Sequence, residues 1–168
     1  ETVKIYGEDY DLGARLYEQQ AAIVYTPTAC VMHHHRTTLR GLIRQAFGFG
    51  RSHAYLLQRH HPQGLWLELP RRLVQWTALP MRGWVDVASP DKKALALLAL
   101  GCFYRPSLWL FPLYLLWLIY QASVRARAAG APVSLSRSFN LAWLLIVKAG
   151  AMTAGRWWGS VRYGALCL

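Results

Sequence analysis

Two nearly uncharged runs, residues 94–104 and 107–122, constrain the fold most, because so much Leu, Phe and Trp must be covered by other apolar surface or by lipid. Arg105-Pro106 divides them. As a helix the first run measures about 16 Å, too short for a hydrocarbon core of about 30 Å, whereas the second is nearly long enough. Lys92 and Lys93 precede the pair and Arg125 and Arg127 follow it. Positive charge on both flanks is the mark of a re-entrant hairpin with both ends cytoplasmic, one tilted span being the alternative. Residues 127–132 read as a linker, and a third apolar segment, 139–155, carries Lys148, a cation that is costly at mid-bilayer unless it snorkels or pairs. Arg156, Trp157, Trp158, Arg162 and Tyr163 then make an interfacial ending.

A length of 168 residues fits one domain or part of one. The chain begins with Glu1 and shows no basic-then-apolar leader, so it reads as a piece of a longer protein. Its formal charge of +11 calls for an anionic partner, and the apolar runs favour membrane lipid over nucleic acid, for which no recognised module is present. Cys30, Cys102 and Cys167 form no CxxC and give no disulfide framework or thiolate zinc site, which points to a reducing compartment. Over 65–84, Trp66, Trp76 and Trp84 are interleaved with Arg71, Arg72 and Arg82 and punctuated by Pro70 and Pro80. Such pieces belong at a membrane–water boundary or, alternatively, are buried against a catalytic domain.

Acidic groups are distributed very unevenly. Of eight Asp and Glu, five fall in the first eighteen residues, with Glu8, Asp9 and Asp11 together ahead of a basic remainder. Asp9 or Asp11 can cap a helix over about 10–20 whose inner face is Leu12, Leu16 and Tyr17. Carboxylates crowded at one helix start also repel, which raises a pKa unless a cation or metal is close, and so suit a general base. Residues 1–6 alternate polar and apolar, while 22–25 and 29–32 are short apolar runs. Strand, helix, strand is the expectation for the first 35 residues, one edge of an α/β sheet.

Thr37 and Thr38 can start a second helix, with Leu39, Leu42, Ile43, Ala46, Phe47, Ala54 and Leu57 at helical spacing, running out at Arg59-His60-His61-Pro62. Arg36, Arg40, Arg44 and Arg51 line one side, where they can hold a pyrophosphate, pair with the carboxylates, lie on anionic lipid, or simply face water. Gly48-Phe49-Gly50 is expected to interrupt this helix, at about 1 kcal/mol per glycine against alanine, which implies close approach of a backbone or ligand. In the run His33-His34-His35, an extended backbone puts His33 and His35 on one face. Either they are structural or one of them is a ligand for Mn or Mg beside a phosphate.

Taken in order, Glu8-Asp9-Tyr10-Asp11-Leu12 with Arg15-Leu16, then Tyr25-Thr26-Pro27, then Val31-Met32-His33-His34-His35-Arg36, then 44–51, resemble the C-terminal part of a family-2 glycosyltransferase with the GT-A fold. Gly155-Arg156 with Gly159-Ser160-Val161-Arg162 is similar to the tail of bacterial members. That resemblance implies an α/β edge of a GT-A (nucleotide-diphospho-sugar transferase) domain over 1–62, an interfacial amphipathic segment over 63–91, and a mainly α membrane-associated region over 92–168. It implies that Asp9, paired with Glu8, is the base that deprotonates an acceptor hydroxyl for inverting attack on a nucleotide-activated sugar. His33 would complete the coordination of a divalent ion (Mn or Mg) on the leaving diphosphate, and Asp11, His35, Arg36, Arg44, Gln45 and Arg51 would meet substrate. Related synthases carry a Gln-x-x-Arg-Trp motif where this chain has Arg44-Gln45 and no adjoining Trp.

The family's Asp-x-Asp metal motif and nucleotide-binding strands precede the Glu-Asp pair and are not found here, so the chain by itself is expected to be inactive. The partners implied are a nucleotide-sugar donor, a glycan or lipid-linked acceptor and membrane lipid, with the protein at the cell membrane and its catalytic part cytoplasmic. A non-enzymatic basic membrane-binding module is the alternative.

Overall fold

Residues 6–32, 37–70 and 72–168 are described by the computed structural model. The strand expected over 1–6, apart from Tyr6, and His33, His34, His35, Arg36 and Arg71 lie outside the described residues. In chain order come α1 (Glu8–Glu18), α2 (Leu39–His60), β1 (Gly64–Leu69), β2 (Arg72–Trp76), β3 (Arg82–Asp86), α3 (Pro90–Phe103), a 3-10 turn (Arg105–Trp109), α4 (Leu110–Ala128), α5 (Leu135–Tyr163) and β4 (Leu166–Cys167). These form two units. One takes in the residues up to Leu67, Leu73–Val85 and Ala151–Leu168, and the other Glu68–Arg72 and Asp86–Gly150. The end of α5 falls in the same unit as the N-terminal helices.

The first unit is built on α2. Thr38 caps it, its Oγ1 accepting from the Gly41 amide at 3.1 Å, and the helix runs out at His60 as the polar stop implies. It is not interrupted at Gly48-Phe49-Gly50, contrary to expectation. Those glycines serve packing instead: a Cβ on Gly50 would lie 2.0 Å from the Met152 carbonyl oxygen, and one on Gly155 would lie 2.1 Å from that of Phe47. Backbones this close exclude any side chain at the crossing, so contact between α2 and the end of α5 offsets the propensity cost.

Below this crossing lies a four-stranded sheet of order β2-β1-β3-β4, in which β4 runs parallel to β3 with Trp84 opposite Cys167. Leu57, Trp66 and Ala165 form its core with Trp84 against them, so Trp66 is covered by protein, whereas Leu73 and Trp76 on the edge strand face outward.

Over 22–25 and 29–32 no strand forms, which overturns the strand, helix, strand reading of the first 35 residues as far as they are described. Ile23, Val24, Tyr25, Val31 and Met32 are all exposed. β-Branched and aromatic residues favour strands only when a neighbouring strand and a packed face accept them, and among the described residues the sheet takes in no strand from this segment.

In the second unit, the Asp86 carboxylate accepts from the amides of Ala88 (2.9 Å) and Ser89 (3.0 Å), and Pro90 at the first helical position launches α3. The Tyr114 hydroxyl donates to the Pro90 carbonyl at 3.2 Å, and Leu108 packs on Gly101, so α3, the 3-10 turn and α4 make a hairpin. Ser134 caps α5, accepting from the Arg137 amide at 3.2 Å, and the Ser123 hydroxyl donates to Ser138 at 2.8 Å across α4 and α5. Among the described residues one helical stretch, Arg105–Ala128, is long and apolar enough to cross a membrane, and it is mostly exposed.

Candidate functional site

The acidic cluster is sorted by its docking on α2. Gly7, with φ 99°, precedes the first turn of α1, and no side chain caps it, so neither Asp9 nor Asp11 is the cap. A Cβ at Gly7 would touch Leu56 Cδ1 at 3.0 Å and Ser52 Oγ at 3.3 Å, which places the start of α1 directly on α2. The Tyr6 and Phe49 rings meet at 5.2 Å, just before that point.

Asp11 faces inward. It is 7% exposed, while of the three residues expected on the inner face Leu16 is half-buried and Leu12 and Tyr17 are exposed at 54% and 82%. A buried carboxylate displaces apolar residues only when it is paired, and Asp11 is. Its Oδ1 lies 2.8 Å from His60 Nε2 and 3.7 Å from Arg59 Nε, and its Oδ2 lies 3.8 Å from Arg15 Nη1. The other ring nitrogen of His60, Nδ1, is 2.9 Å from Glu18 Oε1. One imidazole thus bridges the first and last turns of α1, seven residues apart and on one face of that helix.

The electrostatics follow from this geometry. The His60 hydrogen bond pulls the Asp11 pKa below its ordinary value; burial opposes the shift, and the charges of Arg59, His60 and Arg15 reinforce it. Crowding of carboxylates therefore does not raise Asp11, because cations surround it. Burial pushes His60 down, but hydrogen bonds to Glu18 and Asp11 and their charges more than offset it, and its pKa is raised. The neighbouring His61 is lowered, first by burial and then by the charge on His60. The Nε2 of His61 lies 2.9 Å from the Tyr10 hydroxyl, and its ring stands edge-on to Trp66 and Trp84.

Glu8 and Asp9 stay exposed. Residues two apart on a helix diverge by about 200°, so the pairing of Asp11 with His60 turns Asp9 away from α2. Asp9 Oδ1 accepts from the Tyr10 amide at 2.9 Å. Its expected partner, His33, and the expected substrate groups His35 and Arg36 lie outside the described residues. Arg44 is exposed and Gln45 half-buried about two turns before Ser52, away from the start of α1. Arg51 is half-buried with its backbone against Gly155 and Gly159, so on the described geometry packing on α5 is what its surroundings record. Among the described residues no group of three His, Cys, Asp or Glu side chains converges as a metal cage.

Glu18, His60, His61 and Tyr10 were not marked by the sequence pattern. Asp11 and His60 are 49 residues apart, and at the end of a helix a His-His pair reads as a polar stop.

No family model and no solved structure matches the chain. Over 54 residues it is 48% identical to the pre-mycofactocin glycosyltransferases of Mycobacterium tuberculosis strains CDC 1551 / Oshkosh and ATCC 25618 / H37Rv. The match takes in 32% of this chain and spans 12% of the length of those relatives. The chain is a partial homologue of a glycosyltransferase over that stretch.

Proposed function

We propose that this chain supplies the acceptor side of a metal-dependent, inverting family-2 glycosyltransferase of GT-A fold, anchored at the cell membrane with its catalytic part cytoplasmic. The observation that carries the reading is the division of labour on α1. Asp11 is held by His60, while Asp9 is left exposed on the first turn, in a chain with partial likeness to a glycosyltransferase. An exposed carboxylate on a helix fixed at both ends can receive a proton from an acceptor hydroxyl, and Glu8 adjoins it.

The donor is a nucleotide sugar and the acceptor a glycan or lipid-linked sugar. Inversion requires the acceptor oxygen to form its bond to the anomeric carbon on the face opposite the departing diphosphate, with the acceptor proton passing to Asp9. His33 would hold the divalent ion, Mn or Mg; one imidazole suits such an ion when phosphate oxygens fill the other positions, and that ion offsets charge on the diphosphate. Arg44, Gln45 and Arg51 have less support as substrate groups, because Arg44 and Gln45 lie about two turns before the contact of α2 with Gly7 and Arg51 packs its backbone on α5. Membrane association is supported by the α3–α4 hairpin, whose Leu113, Leu116, Trp117 and Tyr120 are exposed and whose basic flanks, Lys92-Lys93 and Arg125-Arg127, are of the kind that stay on the cytoplasmic side.

Incubating the polypeptide, as its cell makes it, with membranes, sugar nucleotides and Mn or Mg tests this. Metal-dependent incorporation of sugar into the membrane fraction is the expected result. Absence of transfer and of sugar-nucleotide hydrolysis, with vesicle binding intact, would favour the non-enzymatic basic membrane-binding module.

A further inference from the structure

The bridge at His60 reaches beyond the assignment of Asp9. Both ring nitrogens point at carboxylate oxygens, Nε2 to Asp11 at 2.8 Å and Nδ1 to Glu18 at 2.9 Å, and ionised carboxylates only accept. A neutral imidazole has a single N–H and can satisfy only one of them. The side chain of His60 is 5% exposed and that of Asp11 9%, so the bond between them is shielded, while Glu18, 57% exposed, holds the ring from the solvent side. The charged groups facing the ring are Asp11, Arg15 and Glu18 from α1 and Arg59 from its own helix, with His61, whose pKa is lowered, next to it.

We infer that His60 is a positioning residue: as an imidazolium it locks the first and last turns of α1 to the end of α2 and so sets where the Glu8-Asp9 turn stands. The consequence for transfer rests on the reading of Asp9 given above, whereas the lock itself does not. From one point at the end of α2 the ring bonds carboxylates in both the first and the last turn of α1. Losing its second proton breaks one charge-assisted bond at one end of the helix. That bond is strong enough for its loss to loosen α1 by about tenfold or more.

Two readouts decide it, one independent of activity. In hydrogen exchange, His60→Gln is expected to speed the α1 amides over Leu12–Glu18 by about tenfold while the α2 amides over Ala46–Leu57 keep their protection. In the unaltered protein, protection factors of α1 alone should fall as pH rises through the His60 titration. Unchanged α1 protection in either experiment overturns the inference. Should His60→Gln fail to fold, the pH series of the unaltered protein decides.

In transfer assays on the polypeptide as its cell makes it, His60→Gln should lower kcat about tenfold with donor KM unchanged. His60→Arg, which keeps charge and two donors, should restore part of it and abolish the alkaline fall of kcat. An unaltered pH profile in His60→Arg would assign His60 to stability alone and overturn the positioning role. Asp9→Asn separates the two readings: it should leave α1 exchange as it was, so an active Asp9→Asn variant removes the transfer reading without touching the lock.

Discussion

His60 Nε2 stands 2.8 Å from Asp11 Oδ1 across 49 residues of sequence, and that contact buries one carboxylate of the N-terminal cluster while Glu8 and Asp9 stay exposed. Asp11 is committed to the fold. Asp9, about 200° around the helix from it, is available.

The adjacent histidines should titrate in separate steps. His60 is raised above its ordinary 6.5 and His61 lowered below it, so NMR should find His60 still protonated at a pH where His61 is neutral. A single shared step would contradict the assigned pairings.

Stability should peak near neutrality. A raised His60 contributes stability fully below 6.5 and loses it as pH rises through its folded value; a lowered His61 contributes above 6.5 and loses it as pH falls through its folded value. Lowered Asp11 adds a further loss below its ordinary 3.8. Melting temperature against pH should therefore fall on both sides, and His60→Gln should remove the alkaline limb.

Gly155→Leu should disrupt the first unit. With the Phe47 carbonyl oxygen 2.1 Å from the position of a Cβ, the helices must separate, at a cost of about 1–3 kcal/mol or more. Chemical denaturation followed by circular dichroism measures this, with Gly150→Ala, where nothing lies within 4 Å, as the control expected to be tolerated or to stabilise by up to about 1 kcal/mol. Trp66→Ala, in the core with Leu57 and Ala165, should cost about 3–5 kcal/mol in the same assay.

Vesicle flotation separates embedding from electrostatic attachment. At about 1 M salt the screening length falls to about 3 Å, so a basic module should leave anionic vesicles. An embedded α3–α4 hairpin should keep the protein bound.

Local features were legible in the sequence: the Thr38 cap, the polar stop at His60 and the break at Arg105-Pro106 each depend on a few neighbouring residues. The fate of 22–25 was not, because strand formation there needs a neighbour that the run itself cannot specify. The inner face of α1 was misread at Leu12 and Tyr17 because an apolar stripe is the usual rule, and it takes His60, 49 residues away, with Arg59 and Arg15 to make Asp11 the buried group. Glycines in α2 looked like an interruption, yet their partner is a helix a hundred residues later.

The most direct test is sugar transfer by Asp9→Asn, measured beside the unaltered polypeptide under saturating sugar nucleotide. Loss of a positioned general base predicts a fall in turnover of about 10²- to 10⁴-fold with donor binding retained. Turnover within a few-fold of the unaltered protein would contradict the assignment of Asp9 as the base and, with it, the division of roles on α1.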